Sequence, residues 1–249
     1  MSKEVFVKAD LHAHSRFSSK DSLAGVHQIE EMRKGKGLDW VAVTDHNTIA
    51  EAARDLREKS DARLILGEEI LTSGGQEIIG LFLQKPIEQG LGIPETVFQI
   101  NDQGGIVVIP HPFELWRHGV GEDIARKVVV GCKEHGIPVA IEIFNARARS
   151  SRTNHQARDL CYKLRKEGFP VLATAGSDAH RIPEIGRAHV IMPPFETKEE
   201  FVEALKYART CGEISAWGTL YHRLLNRIEL AMGRTFSDLR KELTSFDYR

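Results

Sequence analysis

Two histidines and an aspartate alternate near the start of the chain, where a short apolar run ends. The stretch Asp10-Leu-His-Ala-His14 follows the strand-like sequence "VFVKA". Side chains of a β-strand point to alternate faces, so Asp10, His12 and His14 should project to one side together. Burying three such polar groups is unfavourable unless something binds there. The stretch therefore indicates one arm of a binding site.

Polar residues of the same kinds close five further apolar runs. They are Asp45 and His46, Glu68 and Glu69, His111, Glu142 and Asn145, and Asp178 and His180. In a barrel of parallel strands the carboxyl ends share one rim, where active sites lie. Imidazole and carboxylate groups without cysteine are typical ligands of Zn²⁺, Mn²⁺ or Fe²⁺. We therefore predict a metal site on this rim.

Seven strand-like runs alternate with amphipathic helical patterns along most of the chain, and "RAHVIMP" is a candidate eighth run. This alternation is typical of a parallel sheet with right-handed crossovers, here closed into an α/β barrel. From about residue 197 two helical patterns follow, "TKEEFVEALKYARTCGE" and "LYHRLLNRIELAMG". We expect a single domain over 1–249, with a barrel core to about residue 195 and a helical part from about 196.

Composition sets limits on partners and location. The 249 residues carry a formal net charge of −1, which gives no electrostatic argument for bulk binding to nucleic acid or membranes. No apolar run approaches the roughly 20 residues that span a bilayer. Cys132, Cys161 and Cys211 are scattered, which favours a reducing, cytoplasmic location. No obligate protein partner is indicated.

Five motifs, in order, resemble those of the PHP (polymerase and histidinol phosphatase) family. They are "DLHAHSRFSSKDS", "VAVTDHNT", "LILGEEI", "VIPHP" and "AGSDAH", spread from about residue 8 to residue 190. The resemblance implies a distorted (β/α)7 barrel that holds two or three divalent metal ions. It also implies a phosphoesterase that uses a metal-activated hydroxide on a phosphomonoester, such as a nucleotide or other small phosphate, or on a short oligonucleotide.

The resemblance also implies roles for individual residues. The first metal would be held by His12, His14 and Asp178, the second by His111, and the third by His46, His180 and Asp21. Glu69 would bridge the first two metals, with Glu68 pointing away. Catalytic roles would fall on Glu69, Asp178 and His180.

One ligand position departs from the family pattern. Relatives often carry a second-metal histidine near "QEIIGLF", where this chain has Gln76 and Glu77. A carboxylate can bind the same cation, so Glu77 is the expected substitute. Asp10 and Asp45 are expected as supporting residues. Asp10 should orient a ligand imidazole, with direct ligation as the alternative.

Basic and aromatic residues near these motifs are candidates for substrate binding. Arg16, Arg147, Arg149 and Arg181 follow the strand ends, and a planar guanidinium suits phosphate oxygens. The alternative for the run "ARARSSR" is an exposed surface segment. Phe113 and Trp116 either stack on a base or anchor their loop.

Two other functions are compatible with the same residues. One is a non-catalytic or regulatory module of this family that binds phosphorylated ligands or partner proteins. The other is a metal hydrolase that cleaves C–N bonds, although such enzymes typically place a lysine between the metals and no strand-end lysine is evident here.

Overall fold

A computed structural model describes residues 5–15, 25–49, 52 and 63–214 of the protein. Nine strands of this part form one sheet. Their bounds are β1 Val7–Ala13, β2 Trp40–His46, β3 Leu64–Leu71, β4 Glu77–Leu81, β5 Ile106–Ile109, β6 Val139–Asn145, β7 Leu172–Gly176, β8 Ala188–Met192 and β9 Arg209–Gly212.

Five α-helices and two short 3₁₀ helices connect these strands in the described part. The α-helices are α1 Val26–Gly35, α2 Ile93–Asp102, α3 Gly121–Glu134, α4 Ser151–Lys166 and α5 Lys198–Leu205. The 3₁₀ helices are Leu115–Arg117 and Ile182–Glu184. Helix α5 begins at a capping box in which Thr197 accepts the amide of Glu200.

The sheet order is β7-β6-β5-β4-β3-β2-β1-β8-β9. Strands β1, β2 and β3 run parallel, as do β5, β6 and β7. Strand β4 runs antiparallel to both neighbours, and β8 runs antiparallel to β1. The uniformly parallel sheet we expected is therefore interrupted. The tight turn of residues 72–76, with Gly75 at a φ of +80°, reverses the chain between β3 and β4.

The barrel closes where the chain beyond β7 meets the end of β1. The amide of Asp178 donates to the carbonyl of His12 at 2.7 Å, and the amide of His14 donates to the carbonyl of Ala179 at 2.9 Å. This approach requires glycine at residue 176, because a Cβ there would lie 2.2 Å from the Cβ of His12. The predicted α/β barrel is thereby confirmed.

Alternation along the strands divides the core into two layers. Val107 and Ile109 of β5 pack toward helices α2, α3 and α4, while Val108 between them belongs to a second cluster. Phe201 of α5 is fully buried in that second cluster and packs edge-on against Phe82 and Phe195. Strands that are buried on both faces explain the nearly continuous apolar runs of the sequence.

The predicted helix over 197–213 is wrong in its second half. The helix ends at Leu205, and residues 209–212 form β9, which pairs with the otherwise open edge of β8. An unpaired edge favours strand formation over the local helical pattern. The predicted helical segments "TIAEAARDLREKS" and "LYHRLLNRIELAMG" lie outside the described residues, apart from Thr48, Ile49 and Ala52. Over the ranges described, no helix has the length and apolar character needed to cross a membrane.

Candidate metal centre

Five histidines from four strand ends converge at one rim of the barrel. His12 and His14 come from the end of β1, His46 ends β2, His111 follows β5 and His180 follows β7. The ring of His14 lies 4.4 Å from the rings of both His46 and His180, and 5.0 Å from that of His12, centroid to centroid. The shared rim that the sequence predicted is therefore present.

Glu69 of β3 lies in the middle of these imidazoles. Its Oε1 is 3.3 Å from Nε2 of His12 and 3.1 Å from Nε2 of His111. Its Oε2 is 3.4 Å from Nε2 of His14 and 3.2 Å from Nδ1 of His46. Burial alone would raise the pKa of Glu69, but His12 and His46 hold it well below its ordinary value. The carboxylate thus faces one pair of histidines with each oxygen.

Asp178 approaches the same cluster from the loop after β7. Its Oδ1 lies 3.5 Å from Nε2 of His14 and 4.0 Å from Nε2 of His12, and has no hydrogen-bond partner among the described residues. Its Oδ2 accepts hydrogen bonds from Asn145 at 2.9 Å and from Arg117. Although burial opposes ionisation, Arg117 and His12 hold the pKa of Asp178 well below its ordinary value.

Glu77 reaches the cluster because β4 is reversed. It is the first residue of that strand, so the amino end of β4 lies beside the carboxyl end of β3. Its carboxylate oxygens lie 3.7 Å from Nδ1 of His46 and 3.6 Å from Nε2 of His111. Burial, followed by the charge of Glu69, raises the pKa of Glu77 to about 9. These distances place Glu77 within the cluster, where the family resemblance implied it as the substitute for a histidine.

The geometry of these side chains fits divalent cations. Ligand bonds of about 2.0–2.2 Å place two ligand atoms of one tetrahedral ion roughly 3.3–3.6 Å apart, close to several separations given above. Four groups of three side chains bring their ligand atoms within 4.8 Å of one another. They are His14, His46 and His180; His12, Glu69 and His111; His12, His14 and Asp178; and His46, Glu69 and Glu77. The acids also attract positive charge: despite burial, Glu69 and Asp178 hold the pKa of His12 well above its ordinary value.

Glu142 and Asn145 of β6 hold this cluster in place. Oε1 of Glu142 lies 3.1 Å from Nδ1 of His12, which leaves Nε2 of His12 facing Glu69. Oε2 of Glu142 accepts the amide of His111 at 2.8 Å and the side-chain amide of Asn145 at 2.9 Å. Such partners fix the tautomer and the orientation of a ligand histidine. Sequence reasoning noted both residues at a strand end but gave them no role.

The two aspartates expected as supporting residues contact the backbone. Asp10 accepts the amides of Ser177 at 2.9 Å and Gly186 at 2.8 Å, which fixes the loop that carries Asp178, and it also accepts the backbone amide of His12 at 3.4 Å. Asp45 accepts the amide of Ser15 at 2.6 Å and its hydroxyl at 2.5 Å. Orientation of a ligand imidazole by Asp10 therefore stays a prediction.

The candidate substrate-binding arginines separate into two groups. The guanidinium of Arg147 contacts the ring of His180 and lies 4.0 Å from Oδ1 of Asp178. The side chains of Arg149 and Arg181 are exposed. Arg117, which sequence reasoning missed, pairs with Asp178 from the loop after His111. The sequence feature that could have pointed to Arg117 is its position five residues after the "HP" motif. Arg16 and Asp21 lie outside the described residues.

Two residues of the cluster have unusual backbone conformations. His111 has a φ of 26° and Asp178 a φ of 52°, both in the region that favours glycine. Such conformations cost on the order of 1–3 kcal/mol and are found mainly at functional sites. Here they turn the two side chains toward Glu69 and His14.

Several solved structures share the fold of this barrel. A two-domain protein from Bacteroides vulgatus that contains a predicted PHP-like metal-dependent phosphoesterase superposes with a TM-score of 0.62 at 18% identity, over 84% of this chain and 65% of that one. The lesion-specific endonuclease PfuEndoQ from Pyrococcus furiosus gives 0.59 at 17% identity, over 83% and 58%. An amidohydrolase from Chromobacterium violaceum, with bound sulfate and no metal, gives 0.55 at 17% identity, over 72% and 89%.

Two sequence relatives and one family model also match the chain. Uncharacterized protein MJ1587 of Methanocaldococcus jannaschii is 35% identical over 162 residues, or 61% of this chain and 89% of that protein. Uncharacterized protein MJ0417 of the same organism is 34% identical over 185 residues, or 74% and 70%. The family model described as PHP-associated matches residues 151–210. The chain belongs to the PHP family.

Proposed function

We propose that the protein is a metal-dependent phosphoesterase that hydrolyses a nucleotide, another small phosphomonoester or a short oligonucleotide. The observation that carries this proposal is the position of Glu69, whose two oxygens each face two imidazoles within 3.4 Å. A carboxylate in this position is suited to bridge two divalent ions. The endonuclease and the phosphoesterase-like protein among the structural neighbours are consistent with such substrates.

The proposed centre holds two or three divalent ions, with Mn²⁺, Zn²⁺ or Fe²⁺ as candidates. His12, His14 and Asp178 would hold one, Glu69 would be shared, and His111 with Glu77 would hold another. His46, His180 and Asp21 complete the proposed ligands. Ions bound there would polarise a phosphoryl oxygen and make a water molecule more acidic.

The chain's own residues have distinct proposed tasks. Glu142 keeps the proton of His12 on Nδ1, so that Nε2 remains available toward Glu69. Arg117 and Arg147 bring two guanidinium groups beside Asp178, where they can bind oxygens of a phosphoryl group. His180, next to Arg147, would be a candidate proton donor to the leaving oxygen only in a two-ion centre, in which it does not itself bind a metal.

Metal analysis of the purified protein, followed by a screen of phosphoesters with added Mn²⁺, tests the proposal. We expect turnover of at least one phosphoester, and its loss in His12→Ala and Asp178→Ala. His135→Ala removes an exposed histidine at the end of α3 and serves as the matched control. A fully metal-loaded protein that hydrolyses no phosphoester would refute the proposal.

Hydrolysis of a C–N bond is the second candidate, because an amidohydrolase shares the fold. The carboxylate of Glu69 at the centre, where such enzymes typically have a lysine, favours phosphoester hydrolysis. Amide substrates assayed beside the phosphoesters, at the same metal loading, distinguish the two reactions. Tight binding of phosphorylated ligands without any turnover would indicate instead a non-catalytic member of the family.

A further inference from the structure

We infer that Trp116 and Arg149 form a stacking surface for a nucleobase, and that the preferred substrate is therefore a nucleotide or the end of a nucleic-acid strand. The inference rests on the proposed phosphoesterase function and assigns its substrate class. Three observations on the described rim loops carry it: how the loops are joined, which side chains they turn outward, and how those side chains meet.

Two rim segments are fixed to each other by Glu114. This residue is 3% exposed, and its Oε1 accepts the backbone amide of Arg149 at 3.0 Å and the hydroxyl of Thr153 at 2.6 Å. The loop after His111 is thereby tied to the loop between β6 and α4. The backbone segments that carry the two side chains are therefore fixed relative to each other before a ligand arrives.

Each segment turns one arginine inward and a neighbouring side chain outward. Arg117 pairs with Asp178, and the adjacent Trp116 is 84% exposed. Arg147 contacts His180, and Arg149 two residues later is exposed. The inward arginines lie at the candidate metal centre, and the outward side chains are only one and two residues from them along the chain.

The outward side chains meet each other. The guanidinium carbon of Arg149 lies 5.9 Å from the centre of the Trp116 ring, within the range of a cation–π contact. The exposure of Trp116 leaves the rest of its ring in solvent. Both groups are planar and stack on nucleobases, which all present a π-face.

A nucleotide matches both parts of this arrangement. Its phosphate suits the inward arginines and the cation-binding side chains, while its base is a flat ring joined to the phosphate through one sugar. Tyr162 on α4, 61% exposed with Nζ of Lys166 4.8 Å from its ring centre, provides a comparison. It repeats the aromatic–cation pair without an adjacent cluster of histidines and carboxylates among the described residues.

The test compares AMP with ribose 5-phosphate, which carries the same phosphate and sugar but no base. We expect Trp116→Ala to lower the ratio of kcat/KM for AMP to that for ribose 5-phosphate at least about five-fold, the lower end of base-stacking contributions. The change should appear mainly in KM. Trp116→Phe should retain most of the preference, and the control Tyr162→Ala should leave the ratio unchanged.

Titration calorimetry of the Mn²⁺-loaded protein gives the corresponding ratio of association constants, AMP to ribose 5-phosphate, without requiring turnover. A fall in this ratio in Trp116→Ala supports the inference even if neither compound is hydrolysed. An unchanged ratio, or wild-type protein that binds the two equally or binds neither, overturns it. Hydrolysis of both compounds with an unchanged ratio overturns the stacking surface alone and leaves the phosphoesterase function standing.

Discussion

Replacing Glu142 with glutamine should weaken metal binding while leaving the fold in place. The carboxylate of Glu142 acts three times as an acceptor: Oε1 toward Nδ1 of His12, and Oε2 toward the amide of His111 and the side chain of Asn145. A glutamine amide has the same shape but only one acceptor oxygen. It therefore cannot satisfy both sides of this arrangement at once.

Either orientation of the new amide carries a cost. If its NH₂ group faces His12, Nδ1 of that ring must accept, and the proton moves to Nε2, 3.3 Å from Glu69. A protonated nitrogen cannot bind a cation. If the oxygen faces His12 instead, the NH₂ group meets two N–H donors and two hydrogen bonds are lost, at about 1 kcal/mol each. We expect metal affinity to fall about 10- to 100-fold, equivalent to about 1.4–2.7 kcal/mol.

Titration calorimetry with Mn²⁺ or Zn²⁺ measures this change directly, and kcat/KM at limiting metal should fall with it. Glu68→Gln is the matched control, because Glu68 precedes Glu69 in the same strand but accepts the amide of Ile87 at 2.8 Å. That control should bind metal as the wild type does. Wild-type affinity in Glu142→Gln, with the histidine tautomer unchanged by NMR, would refute the reasoning.

Three further measurements test the energetics of the site. Arg117→Met removes the partly buried guanidinium beside Asp178. It should lower the free energy of unfolding of the metal-free protein by roughly 3 kcal/mol, the lower end of the cost of leaving a buried charge unpaired, in urea titrations with EDTA. An unchanged midpoint would contradict this. Burial raises the pKa of Glu68 from 4.5 to about 7. Between these two pH values the folded protein holds a proton that the unfolded chain has released. The free energy of unfolding therefore falls as the pH rises from 4.5 to about 7. Glu68→Gln should accordingly raise stability by about 2 kcal/mol at pH 8 and have little effect at pH 4.5, whereas an equal effect at both pH values would argue against the shift. Mn²⁺ at about 100 times its Kd should raise Tm by roughly 5–10 °C in calorimetric scans, with EDTA reversing the rise, and no rise would count against binding to the folded state.

The direction of β4 illustrates what local sequence patterns leave open. Apolar runs and helical periodicities predicted the barrel, because alternation and amphipathicity are local properties of the chain. Whether a given strand runs parallel or antiparallel depends on its neighbours and on the turn that precedes it. The reversal of β4 brings the first residue of that strand, Glu77, to the rim, while the other described cluster residues lie at or near the carboxyl end of a strand.

The sequence by itself determined which side chains are available at the rim. The alternation of Asp10, His12 and His14, and the acids and histidines at the other strand ends, follow from strand period and from the common direction of parallel strands. The tertiary structure decided how those side chains are held. Glu142 meets His12 across 130 residues and Arg117 meets Asp178 across 61, and such pairings depend on how the sheet closes rather than on any local spacing.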